Sequence, residues 1–156
     1  MSHYRKIDTR IWNDEKFNSL PNESKLAFLF ILTHPNMTCL GAMRATVSGL
    51  SDELEVLPEV FQEVFRVGLF EVDQKAKLIY LPNFIKYNKA ESPNVIRAWG
   101  KAFDLIPECE PKTKIFHKVK DSIKDYGKEY QKAFREAFAK DTRIVSSEQE
   151  QRDRRP

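Results

Sequence analysis

Residues 46–81 read TVSGLSDELEVLPEVFQEVFRVGLFEVDQKAKLIYL, and the punctuation of this stretch decides the fold. Thr46 is a side-chain N-cap for a helix that places Val47, Leu50 and Leu54 on one face, at i, i+3 and i+7. Glu55-Val56-Leu57 is a three-residue connection. Pro58 then takes the first position of a second helix, where a missing N–H is no loss. That helix is expected to turn Phe61, Val64 and Phe65 inward and to stop at Gly68, a residue suited to the left-handed position after a helix. Two short helices on so tight a turn make a helix-turn-helix. Two β-prone runs follow, 69–73 and 78–81, separated by a polar tip that carries Lys75 and Lys77. This is a hairpin in the position of a wing.

The flanks extend the pattern. Upstream, Asn13 is expected to cap a short helix through Leu20, and Asn22 a second helix running to about Thr33. The seven-residue apolar run 26–32 predicts burial of that second helix on nearly all sides. His34-Pro35-Asn36 ends it, because proline disfavours helix in the residue before it. Residues 41–45 read as a short extended segment. Three helices, a small strand and a hairpin in this order describe a winged helix, mainly α with a small β-hairpin.

Downstream, residues 82–88 leave the hairpin as an irregular segment. Ser92-Pro93 opens a helix containing Val95, Ile96, Trp99 and Phe103, which Ile106-Pro107 closes. From Pro111 onward Ile115, Val119, Ile123, Tyr126, Tyr130, Phe134 and Phe138 step by three or four, a helical stripe that Gly127 bends or divides. Past Gly127 these aromatic residues need a partner surface, either the domain itself or a second subunit of a homo-oligomer. The expected organisation is a winged-helix domain with an appended helix over 1–110, a basic amphipathic helical extension over 111–140, and a disordered tail or linker start over 141–156.

A chain that is 41% hydrophobic and 12% aromatic can bury a core, which excludes wholesale disorder and low complexity. Its longest apolar run is far short of the roughly 20 residues that a membrane span needs. No apolar stretch follows the first residues, so the expectation is a soluble, cytoplasmic protein without a membrane partner. Cys39 and Cys109 stand far apart, and His3, His34 and His117 are equally scattered, which is not metal-ligand spacing. No phosphate-binding loop, dinucleotide fingerprint, zinc-protease motif or nucleophile elbow occurs. Neither an enzyme nor a cofactor is expected.

Charge is unevenly spread. Residues 1–111 carry 13 Lys and Arg against 15 Asp and Glu, whereas residues 112–140 carry nine against four. The basic character lies in Lys112, Lys114, Lys118, Lys120, Lys124, Lys128, Lys132, Arg135 and Lys140. A local basic stripe is the footprint of a polyanion binder, and equally the habit of a solvated amphipathic helix.

Several blocks carry a family likeness. Tyr4-Arg5-Lys6-Ile7-Asp8 with Ile11-Trp12-Asn13-Asp14, then Leu32-Thr33-His34-Pro35 with Leu40-Gly41-Ala42-Met43, resemble bacteriophage and prophage replication-initiation proteins, the replisome organisers. So do the block 80–88, Ser92-Pro93-Asn94-Val95 and Trp99. The resemblance covers about residues 4–110. It implies an origin-binding winged-helix domain in a bacterial host cell that helps recruit the host helicase or helicase loader. In longer relatives a linker rich in Gln and Glu leads to a second module.

The expected partner is double-stranded DNA, with the helix from Pro58 in the major groove. Its outward residues Glu59, Gln62, Glu63 and Arg66 sum to −1, which is unfavourable against phosphate. Gln62 and Arg66 are nevertheless candidate contacts. Lys75 and Lys77 at the wing tip suit phosphate better. Arg44 and Thr46 lie where helix N-terminal amides hold a phosphate, and Lys86, Lys89 and Arg97 extend the surface. Trp12 and Trp99 read as core residues rather than base-stacking ones, whereas Tyr87 has polar neighbours. Two alternatives stand beside this reading: a protein-interaction module with the acidic helix as its docking face, and a transcriptional regulator on the same fold.

Overall fold

A computed structural model describes residues 4–141. A 3-10 turn, Thr9–Asn13, comes first, followed by α1, Glu15–Asn18. Aspartates cap both: the Asp8 carboxylate accepts the Arg10 N–H, and Asp14 accepts the Phe17 N–H at 2.9 Å. Asn13, expected as the cap of a single helix, instead ends the turn. Tight i→i+3 bonding there leaves Asp14 as the extended residue whose short side chain reaches α1's amides.

Helix α2 spans Asn22–Thr33 with Pro21 at its cap. Asn22, the expected cap, is already helical, and no side chain caps this end. Ser24, Ala27 and Ile31 form the buried face, while Leu26 is exposed and residues 28–30 and 32 are half-buried. The expected burial on nearly all sides is realised in part: Phe28, Leu29, Phe30 and Leu32 pack against the core while half-buried, and Leu26 alone of the run faces solvent. Ser24 Oγ donates to the Val60 carbonyl at 2.9 Å and ties α2 to the helix that begins at Pro58.

Strand β1 (Ala42–Arg44) precedes α3 (Val47–Leu54) and α4 (Pro58–Arg66). Thr46 caps α3 by accepting the Gly49 N–H at 3.0 Å, Pro58 opens α4, and Gly68 follows α4 at φ +82°. Phe61 and Val64 are fully buried. Phe65, expected inward, is 51% exposed, since it lies one residue round the helix from Val64 and meets the core through a tilted contact with Phe70 at 5.9 Å. β2 (Glu71–Asp73) and β3 (Leu78–Tyr80) complete a three-stranded antiparallel sheet in the order β1-β3-β2. Met43 and Val72 both stand opposite Ile79.

The central strand explains why residues 78–81 are apolar without alternation. Successive residues of a strand point to opposite faces. Ile79, with Met43, joins the core beneath α1–α4 that contains Phe17, Ile31 and Phe61. Leu78 and Tyr80, with Ala42, join a second core beneath the C-terminal helices. The sheet is thus a partition with helices on both faces.

Residues 82–88, expected to be irregular, contain a one-turn helix α5, Phe84–Tyr87, whose Phe84 and Ile85 are buried. The remaining helices are α6 (Pro93–Asp104), α7 (Glu110–Ser122) and α8 (Lys128–Ala137), with Gly127 dividing the last two. Tyr130 Oη lies 3.3 Å from the Glu91 carbonyl, and the Phe103 and Phe138 rings lie 5.1 Å apart. These contacts set α6 and α8 side by side in the same direction. Ile115, Phe116, Val119, Ile123, Phe134 and Phe138 are buried in the second core, so the stripe finds its partner surface within the same chain. No helix of the described residues is long and apolar enough to cross a membrane. Apart from Asp141, the tail expected over 141–156 lies outside the described residues.

Candidate nucleic-acid interface

All nine candidate contact residues are on the surface: Arg44, Thr46, Gln62, Arg66, Lys75, Lys77, Lys86, Lys89 and Arg97. Strand pairing brings three of them together. Arg44 ends β1 opposite Leu78, and the next amide, Ala45 N–H, donates to the Lys77 carbonyl at 2.9 Å. Thr46 follows directly as the cap of α3. Arg44, Thr46 and Lys77 therefore border one shallow depression, together with Asn36, Gly49 and Glu53. The hairpin turn shapes the other side: Asp73 accepts the Ala76 N–H at 2.8 Å, and Lys77 adopts φ +52°. Lys75 stands exposed at the tip.

The depression holds one carboxylate, and it is engaged. His34 is buried, and its Nδ1 accepts the Asn36 N–H at 3.0 Å. The ring proton therefore sits on Nε2, which lies 2.9 Å from Glu53 Oε2 and donates to it. Arg44 and Lys77 thus outweigh the one carboxylate of the depression, and the Thr46 hydroxyl and the first amides of α3 lie beside them. This arrangement suits an oxyanion such as a backbone phosphate.

The other candidates lie apart from the depression. Gln62 and Arg66 are on α4, where Arg66 pairs with Glu63 one turn away. Arg97 donates to Asn94 at 2.7 Å on α6, and Lys86 lies over the Tyr87 ring at 5.5 Å. The basic stripe is also less uniform than its sequence. Lys112 is buried, 3.0 Å from Glu108 and 4.8 Å from the Phe103 ring centroid, because the first turn of α7 lies on α6. Lys114 reaches Glu71 on β2 at 3.3 Å. Lys118, Lys124, Lys128, Lys132 and Arg135 are exposed.

Trp99 is buried as expected, whereas Trp12, also expected in the core, is 61% exposed, since the 3-10 turn directs Ile11 inward and Trp12 out. Asn36 and Glu53 belong to the depression and no spacing in the sequence announces them. They arrive through the contact between His34 and Glu53, 19 positions apart. Among the described residues no His, Cys, Asp and Glu cluster suits a metal ion. Comparison with protein-family models, with curated proteins and with solved structures finds no match to this chain.

Proposed function

We propose that the chain is a non-enzymatic winged-helix protein that binds duplex DNA in replication initiation of the phage type, inside a bacterial host cell. The observation that carries this reading is the convergence of Arg44, Thr46 and Lys77 on one depression, with Lys75 beyond it on the hairpin tip. The order α2-β1-α3-α4-β2-β3 and the sheet order β1-β3-β2 support it, since a winged helix needs both. Arg44 and Lys77 supply charge to a phosphate, Thr46 and the start of α3 supply donors, and Lys75 reaches a neighbouring phosphate or the minor groove. Binding of this kind positions the protein along the duplex and carries little sequence information by itself.

One observation favours a second reading, in which α4 docks a protein such as a host helicase or its loader. Leu57 and Phe65 are exposed beside Glu59 and Glu63, a mixture better matched to a protein than to a phosphate backbone. A mobility-shift titration on duplex DNA at two salt concentrations separates the two. Duplex binding that weakens steeply with salt supports the first reading, and absence of binding at low salt overturns it. Preference for an origin fragment over promoter fragments separates replication initiation from transcriptional regulation.

A further inference from the structure

The N-terminal segment, α2 and α5 enclose an apolar groove of about 120 Å³ that lies apart from the basic depression. Phe17, Phe28, Leu81 and Phe84 are among the residues that line it. The rim is of another kind. Tyr87 stands there 51% exposed, with the Arg10 guanidinium 5.8 Å and the Lys86 ammonium 5.5 Å from its ring centroid. Lys6 adds a third cation, in an exposed pair with Glu91 at 3.5 Å. Trp12 meets Phe17 edge-on at 5.5 Å and exposes most of its indole.

Both carboxylates of the groove are occupied. Asp14 caps α1, and Asp8 accepts the Arg10 N–H at 2.9 Å and its guanidinium at 2.7 Å. The clamp fixes the guanidinium beside Tyr87. Arg10's hydrogen bonds in turn hold the Asp8 carboxyl down at about 2, so the clamp persists at any ordinary pH.

We infer that this groove binds single-stranded nucleic acid, with unpaired bases stacking on Tyr87 and Trp12, phosphates meeting Lys86, and Lys6 exchanging the exposed Glu91 for a phosphate, while Arg10 stays clamped to Asp8 beside the Tyr87 ring. Every base has a π-face, so exposed aromatic side chains beside cations take single strands with little regard to sequence. A duplex keeps its base faces stacked and offers none to Tyr87. The inference stands independently of the duplex-binding proposal, which rests on Arg44, Thr46, Lys75 and Lys77, none of them at this groove.

The chain has two tryptophans, and Trp99 is buried, so Trp12 is a built-in reporter. Titration of the full chain with a thymidine oligonucleotide of about 12 nucleotides is expected to quench its fluorescence and to raise the anisotropy of a labelled strand. Tyr87→Ala is expected to weaken binding about tenfold, and Tyr87→Phe to retain it. Trp12→Phe should remove the quenching while anisotropy still reports binding. Circular dichroism and a melting curve establish that each variant folds. Tyr87→Ala should leave duplex binding unchanged, just as the double variant Lys75→Ala, Lys77→Ala should leave single-strand binding unchanged. The inference fails if the oligonucleotide neither quenches Trp12 nor binds, or if folded Tyr87→Ala binds it as tightly as the parent. It fails equally if Trp12 becomes shielded with rising protein concentration alone, which identifies a self-association face.

Discussion

Gly100 on α6 and Ala137 on α8 approach so closely that a Cβ on Gly100 would lie 2.7 Å from the Ala137 Cβ and 2.7 Å from its carbonyl oxygen. Glycine in mid-helix costs about 1 kcal/mol relative to alanine, so this position spends local stability on tertiary contact. Gly100→Ala recovers that propensity and meets a backbone atom that cannot yield. Overpacking of this kind costs about 1–3 kcal/mol. The expected net effect is a lower melting temperature by a few degrees, measured by thermal unfolding. An unchanged or raised melting temperature would mean that the helices separate without cost.

If duplex binding runs through the hairpin, the double variant Lys75→Ala, Lys77→Ala should weaken it and flatten its salt dependence by up to about 0.9 log unit for each lost phosphate contact. Gln62→Ala and Arg66→Ala should change affinity by less than about threefold, because Arg66 is already paired with Glu63 and the outward face of α4 is net acidic. A larger loss from the α4 variants than from the hairpin variant would put α4 in the groove.

Removal of everything from Pro111 onward should give a chain that aggregates or fails to fold. Ile115, Phe116, Val119, Ile123, Phe134 and Phe138 are each at most 5% exposed. Each is worth about 1.5–3 kcal/mol when buried, and together they rival the roughly 5–15 kcal/mol by which a domain is stable. A chain stopped at Lys140 keeps them all and should melt as the parent does. Differential scanning calorimetry distinguishes the outcomes, and a soluble, cooperatively melting fragment 1–110 would contradict the shared core.

Burial first, and then the nearby Glu71 carboxylate, push the Tyr80 phenol up to about 12. An unfolded tyrosine titrates near 10, so the folded state holds this proton more tightly. The stabilisation is complete below about pH 10 and is lost as pH rises from 10 towards 12, by on the order of 2–3 kcal/mol. No described residue offers the Tyr80 hydroxyl a hydrogen-bond partner. Tyr80→Phe should therefore match or exceed the parent's stability at neutral pH and remove part of its alkaline sensitivity. Denaturant melts at pH 8 and pH 11 measure both, and a loss of stability at pH 8 would reveal a partner for the hydroxyl.

What was legible in the sequence was local. Thr46, Pro58 and Gly68 act on amides and carbonyls within a few residues, so the paired helices and the hairpin could be read from spacing. The apolar run 78–81 and the stripe from Ile115 to Phe138 likewise announced burial. The errors arose where choices of similar local energy compete. Asn13 and Asp14 are equally good caps, and the 3-10 turn chose between them. An apolar helix face or an indole is buried only if another element covers it. Leu26, Phe65 and Trp12 find no such cover and stay exposed.

The sequence by itself determined the order of the paired helices and the hairpin, the cap at Thr46, the punctuation at Pro58 and Gly68, and the concentration of positive charge after residue 111. Only the tertiary structure decided that the sheet separates two cores, that Lys112 is buried against Phe103, and that Arg44, Thr46 and Lys77 share one depression. It also set Arg10 and Lys86 around Tyr87 above an apolar groove. The physical reason is range. Capping and periodicity act over one or two turns of chain, whereas a site assembled from residues tens of positions apart exists only once strand pairing and core packing have paid the entropy of bringing them together.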